Sequence, residues 1–138
     1  MPKPPMPSEV VELLEHPNPA VITTLRPDGQ PVWVATWYVM DGDRILVNMD
    51  ESRKRLEYLR ADPRVSITVL DENSWYTHVS IQGRAVEISA DEGLAGIDRI
   101  CRHYSGEPFS NRSHGRVNAW IEIDRWHGWG AAKIARHS

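Results

Sequence analysis

The sequence predicts a mainly β domain, a six- to seven-stranded antiparallel barrel flanked by two or three helices. Three observations carry this. Short β-branched and aromatic runs recur along the chain, separated by Pro, Gly and Asp turn signals. Helical periodicity shows in only three segments, 8–15, 52–61 and 91–104. The strands and helices do not alternate as a βαβ series would, which excludes a doubly wound parallel sheet.

Residues 1–7, with prolines at positions 2, 4, 5 and 7, read as a flexible N-terminal arm, and 8–138 as a single domain. The 8–15 helix has Ser8 as its expected cap and Val10, Val11, Leu13 and Leu14 as its apolar face; Pro17 and Pro19 end it. Residues 20–25 form a first strand, and Pro27-Asp28-Gly29 a turn into a second strand over 31–40. Asp41-Gly42 turns the chain into a third strand at 44–49. Ser52 is the expected cap of the next helix, which Asp62-Pro63 closes. Strands follow at 64–70 and 75–88, the latter with Gly83 as a bulge or bend. After the 91–104 helix, residues 105–115 read as a mobile polar loop. A last strand at 116–124 leads to a short tail containing Trp126-His127-Gly128-Trp129-Gly130.

Composition narrows the function. A formal net charge of −3 argues against bulk electrostatic binding of nucleic acid. No apolar run approaches the roughly 20 residues of a membrane span, and the first residues lack the apolar stretch of a signal peptide. The single cysteine, Cys101, can make no internal disulfide, so a cytoplasmic protein is expected. The six histidines are scattered without metal-ligand spacing, so no metal site is expected. There is no nucleophile elbow and no dinucleotide fingerprint.

What remains is a cation cluster and a set of flat rings. Arg53-Lys54-Arg55 follows a strand and a short polar stretch holding Asn48 and Ser52, at the start of a helix. Helix-start amides and guanidinium forks both suit a phosphate, whereas the bland alternative is a solvated helix face. Trp33 and Trp37 share one face of the second strand, with Thr36 and Tyr38 on the other. Six tryptophans against one phenylalanine allow either core packing or pocket walls. Trp75 and Tyr76 stand at a loop edge, where aromatics are often functional.

In order and spacing these residues resemble the pyridoxamine 5′-phosphate oxidase-like superfamily of FMN-binding split β-barrels. The resemblance runs from about Leu13 to Gly128. It is carried by Ala20-Val21-Ile22-Thr23-Thr24-Leu25-Arg26-Pro27-Asp28-Gly29-Gln30-Pro31, Thr36-Trp37-Tyr38, Ser52-Arg53-Lys54-Arg55, Leu59-Arg60-Ala61-Asp62-Pro63-Arg64-Val65-Ser66 and Gln82-Gly83-Arg84-Ala85. Within the superfamily it is nearest the branch that uses the deazaflavin coenzyme F420. The Arg-x-x-x-Leu-Lys run of the FMN-dependent oxidases is missing from residues 32–40. Arg55 stands where some relatives have lysine, which keeps the charge but changes its reach.

The resemblance implies a homodimer with cofactor sites between the subunits. It implies phosphate contacts from Arg53, Arg55 and Lys54, with Asn48 and Ser52 nearby. The ring would lie along Thr36, Trp37 and Tyr38, and the partner subunit would supply Trp75 and Thr77. The implied reaction is hydride transfer from reduced F420 to an electron-poor small molecule such as a quinone, enone or tetrapyrrole. Tyr38, His78 or a water would protonate the product. An FMN-dependent oxidoreductase and a non-catalytic flavin, deazaflavin or tetrapyrrole binder are the alternatives.

Overall fold

The computed structural model describes residues 1–135. One antiparallel sheet carries β1 (Ala20–Leu25), β2 (Pro31–Thr36), β3 (Val39–Asp41), β4 (Arg44–Asp50), β5 (Arg64–Leu70), β6 (His78–Ala90) and β7 (Arg116–Trp129). The helices are α1 (Ser8–Glu15), α2 (Lys54–Ala61), α3 (Ala95–Ser105) and α4 (Ala131–Ala135), with a 3-10 turn at Glu92–Leu94 before α3.

Strand order is β2-β1-β5-β6-β7-β4-β3. The two edge strands, β2 and β3, are consecutive in the chain and joined only by Trp37 and Tyr38. Three Cα–Cα steps of about 3.8 Å must therefore connect opposite edges of the sheet. The sheet has to roll until its edges nearly meet, yet β2 and β3 are not paired. That is an antiparallel split barrel. Its interior is apolar, built from alternating residues such as Ile22, Val47, Ile67, Ile81 and Ile121. Val10 and Leu14 of α1 and Leu56 and Leu59 of α2 join the same core, while Ile100 of α3 packs on Val39 and Leu46.

Several boundaries differ from the sequence reading, each for a local reason. The expected 31–40 strand breaks at Trp37-Tyr38, because the chain crosses there from one edge to the other. Tyr38 ends up 1% exposed. The strand expected from Trp75 begins at His78, since residues 71–77 are folded into turns closed by Ser74 N–H to Asp71 O and Thr77 N–H to Ser74 O. The last strand continues past Asp124 to Trp129. Gln82 pairs with Arg125 and Gly83 with Ile123, so Asp124 is an extra residue in β7. The inward parity flips there, from Val117, Ala119, Ile121 and Ile123 to Trp126, and this flip makes the strand look finished in the sequence. Gly83 stands beside this bulge, where a Cβ would land on the Glu122 carbonyl oxygen. Ser8 is not the cap of α1; the Pro7 carbonyl accepts the Val10 and Val11 amides.

Met1 and Pro2 lie beside β7, with the Trp126 amide donating to Pro2 O at 3.0 Å and Arg125 Nη1 to Met1 O at 3.3 Å. The 105–115 loop is fastened to α3, where Arg112 Nη1 and Nη2 meet Asp98 Oδ1 and Oδ2 at 2.8 and 3.1 Å. This pairing holds the Asp98 carboxyl below the usual carboxylate range.

Candidate functional site

A cleft of about 780 Å³ opens between β2, the end of β4, the start of α2 and the 105–115 loop. That volume lies within the range of small-molecule sites, about 300–1,000 Å³. One wall is β2, where Val32 and Val34 share the face that pairs with Thr24 and Ile22, and Trp33, 66% exposed, stands on the other face. The opposite wall is cationic. Arg53, Lys54, Arg55 and Arg116 line it, and Asp50 is the only acid among the described lining residues.

Local folding places these cations. Asp50 Oδ1 accepts both the Ser52 amide, at 2.9 Å, and the Ser52 hydroxyl, at 2.7 Å. Those two bonds hold the Asp50 carboxyl below its ordinary value. Ser52 is therefore committed to this turn and is not the helix cap; Arg53 occupies the cap position with extended angles, and no side chain caps α2. The first amides of α2 are left for an anion, next to the arginines.

The cations differ in how committed they are. Lys54 extends into solvent and meets Glu57 at 3.4 Å, an exposed pair that contributes little. Arg53 is exposed, with no side-chain partner among the described residues. Arg55 is half-buried, and its Nε is fully shielded without a hydrogen-bond partner. Burial, then the nearby charges of Arg53 and Arg116, hold the Arg55 pKa below the ordinary arginine value. Arg116 is lowered as well, chiefly by burial and also by Arg53, with Asp50 and Asp91 opposing. A buried donor without an acceptor costs about 1–3 kcal/mol, and more when charged. An anion in the cleft would relieve the repulsion, and also the missing bond once the Arg55 side chain turns its Nε toward it.

Asn48 anchors the back of this wall. It is 6% exposed and bonded to Asp91, Asn118 and Arg116. Arg116 also lies over the Phe109 ring, at 4.6 Å from its centroid.

The structure thus gathers Asn48, Ser52, Arg53, Lys54 and Arg55 around one cleft. Thr36, Trp37 and Tyr38 do not line it. Trp37 stacks on Tyr104, with centroids 4.6 Å apart and planes 3° apart. The Tyr38 hydroxyl donates to Leu14 O at 2.6 Å inside the core, and burial raises its pKa. The Thr36 hydroxyl donates to Trp37 O. Val32 to Ala35 form the wall on β2. Trp75 is 71% exposed outside the cleft of its own chain. Thr77 lines a separate cavity of about 310 Å³ with Glu9, Glu12, Asp71 and Glu72, whose charge opposes a phosphorylated ligand. Sequence reasoning missed Arg116, Asp91 and Phe109. The available signal was two asparagines, Asn48 and Asn118, each set among apolar neighbours in a strand-forming run.

Among the described residues no group of three or more His, Cys, Asp or Glu could hold a metal ion. None of the described helices is long and apolar enough to cross a membrane.

Comparisons with known proteins fit this architecture. An F420 reductase structure is 26% identical with a TM-score of 0.79, covering 88% of this chain and 98% of its own. A conserved hypothetical protein from Mycobacterium tuberculosis is 24% identical with a TM-score of 0.74, covering 97% of this chain and 92% of its own. General stress protein 26 from Bacillus anthracis shares the fold at 15% identity and a TM-score of 0.66, covering 88% of this chain and 91% of its own. No curated protein matches the sequence. The family described as pyridoxamine 5′-phosphate oxidase matches residues 6–130, nearly the whole chain. With its split barrel and cationic cleft, the chain belongs to the pyridoxamine 5′-phosphate oxidase family.

Proposed function

We propose that this protein is an oxidoreductase that uses coenzyme F420, with the cofactor phosphate held in the cationic cleft. The observation that carries the reading is the shielded, unpartnered Nε of Arg55 between two further arginines. Such a donor fits a phosphate oxygen, and guanidinium groups bind phosphate through paired hydrogen bonds. The similarity to an F420 reductase supports the deazaflavin over other phosphorylated cofactors.

When bound, reduced F420 would supply a hydride to an electron-poor small molecule of the quinone, enone or tetrapyrrole class. The protein's part is binding and orientation. Arg53, Arg55 and Arg116 hold the phosphate, aided by the first amides of α2. Val32 and Val34, on one face of β2, offer an apolar wall for a ring. Tyr38 is not the proton donor, because its hydroxyl is committed to Leu14 O. His78 meets the Tyr76 carbonyl and stacks on Trp129 away from the cleft of its own chain, so the donor is a water or a His78 carried into the second subunit's site beside Thr77. The reading includes a cytoplasmic homodimer in which Trp75 and Thr77 reach the site of the second subunit. Exposed Trp75 and Tyr76 suit burial in such an interface.

Titrating the protein with F420 while following tryptophan fluorescence tests this. Saturable quenching is expected. Arg53→Ala should weaken binding by about ten- to a hundredfold, with stability changed by no more than about 0.5 kcal/mol. No quenching at about tens of micromolar, roughly 6 kcal/mol of affinity, would overturn the reading. Protein purified yellow, with bound FMN and no affinity for F420, would transfer it to the FMN-dependent alternative.

A further inference from the structure

We propose that Asn48 makes no contact with the bound anion and instead acts through Arg116, which is a third anion contact alongside Arg53 and Arg55. This rests on the cleft being an anion site, as the proposed function requires.

The bonding capacity of Asn48 is spent inside the protein. An asparagine amide has two N–H donors, and both are engaged: Nδ2 donates to Asp91 Oδ2 at 2.9 Å and to Asn118 Oδ1 at 2.7 Å. Its oxygen accepts Arg116 Nε at 2.7 Å. The amide cannot be turned over. Reversal would set its oxygen against the Asp91 carboxylate and its N–H groups against Arg116 N–H, unmaking three bonds.

Asp91 makes that orientation rigid. It is 7% exposed, and its two oxygens accept the Gly96 amide at 2.7 Å and the Ile97 amide at 2.9 Å at the start of α3. Gly96 is needed for the same packing, because a Cβ there would land on Asn118 Oδ1. A continuous chain of bonds therefore runs from α3 through Asp91 and Asn48 to Arg116.

Arg116 is the end of that chain that faces the cleft. With Nε on Asn48 and its guanidinium plane laid over Phe109, its orientation is fixed from two sides. Nη1 and Nη2 have no hydrogen-bond or ion-pair partner among the described residues. A preset pair of donors suits two oxygens of one phosphate or carboxylate. Preorganisation of this kind raises affinity by removing the entropy of ordering the side chain on binding.

The test is a double-mutant cycle of wild type, Asn48→Ala, Arg116→Ala and the double variant, titrated with F420 and separately with inorganic pyrophosphate. Arg116→Ala should weaken binding of both probes by about ten- to a hundredfold. Asn48→Ala should weaken it less, and should add no more than a factor of about two once Arg116 is gone. Full additivity, or no effect of Asn48→Ala alone, would overturn the proposal. Pyrophosphate binding with the expected cycle but no F420 binding would refute the F420 reading and leave Asn48 and Arg116 as assigned. A wild type that binds neither probe would overturn both.

Should Asn48→Ala fail to fold, nitrogen-15 arginine spectra of the wild type carry the test. One Nε–H resonance, identified by its disappearance in Arg116→Lys, should exchange far more slowly with solvent than that of exposed Arg53. Equal exchange would overturn the positioning role.

Discussion

Replacing Arg55 by methionine should make the protein more stable and less able to bind. In the free protein, Arg55 Nε is shielded without an acceptor, and Arg53 and Arg116 add like charge. Removing an unsatisfied buried donor returns about 1–3 kcal/mol. Methionine keeps most of the stem that packs at the base of α2, so the loss of packing is small. A net gain of about 1 kcal/mol is expected, which for a domain of this size is a rise in Tm of about 3–5 °C. The same substitution removes a charge-assisted contact to the anion, about 1.5–3 kcal/mol, or ten- to a hundredfold in Kd. Opposite signs in stability and affinity mark a residue kept for its ligand. Differential scanning fluorimetry and an F420 titration on one purified variant measure both. A lower Tm with unchanged affinity would show that Arg55 is a structural residue and refute the reasoning.

Two further outcomes test the frame around the site. Gly83→Ala should lower stability by about 1–3 kcal/mol in urea denaturation, because its Cβ would meet the rigid backbone oxygen of Glu122; a neutral result would mean that the bulge can open. Burial pushes the Tyr104 hydroxyl up to about 12, against an ordinary value of 10.0. The unfolded chain would lose this proton first, so stability present below pH 10 should fall as pH rises toward 12. Tyr104→Phe should make that fall shallower, the remainder coming from buried Tyr38, while losing about 0.5–1.5 kcal/mol at neutral pH from the bond to Asn18 O. An equally steep alkaline fall in the variant would refute the assignment.

The elements most readable in the sequence are those governed by local rules. α1, β1 and β5 lie where apolar periodicity and the flanking prolines place them, since each is one uninterrupted run. β7 was harder, because the extra residue Asp124 reverses inside and outside partway along it. The split at Trp37-Tyr38 has no local signal at all. It follows from the joining of two sheet edges, so the shared face expected for Trp33 and Trp37 does not survive it. The site divides in the same way. Arg53, Lys54 and Arg55 are visible as a cluster because they are contiguous. Arg116 sits 61 residues beyond Arg55, and its orientation depends on Asn48 and Asp91, which are brought together only by β4–β7 pairing and the seating of α3.

A crystal structure of the protein with F420 tests the central claim most directly. It should show the cofactor phosphate within hydrogen-bond distance of Arg53, Arg55 and Arg116, with the deazaflavin ring on the β2 side of the cleft. A phosphate bound elsewhere, with Arg55 Nε still unpartnered, would contradict the account.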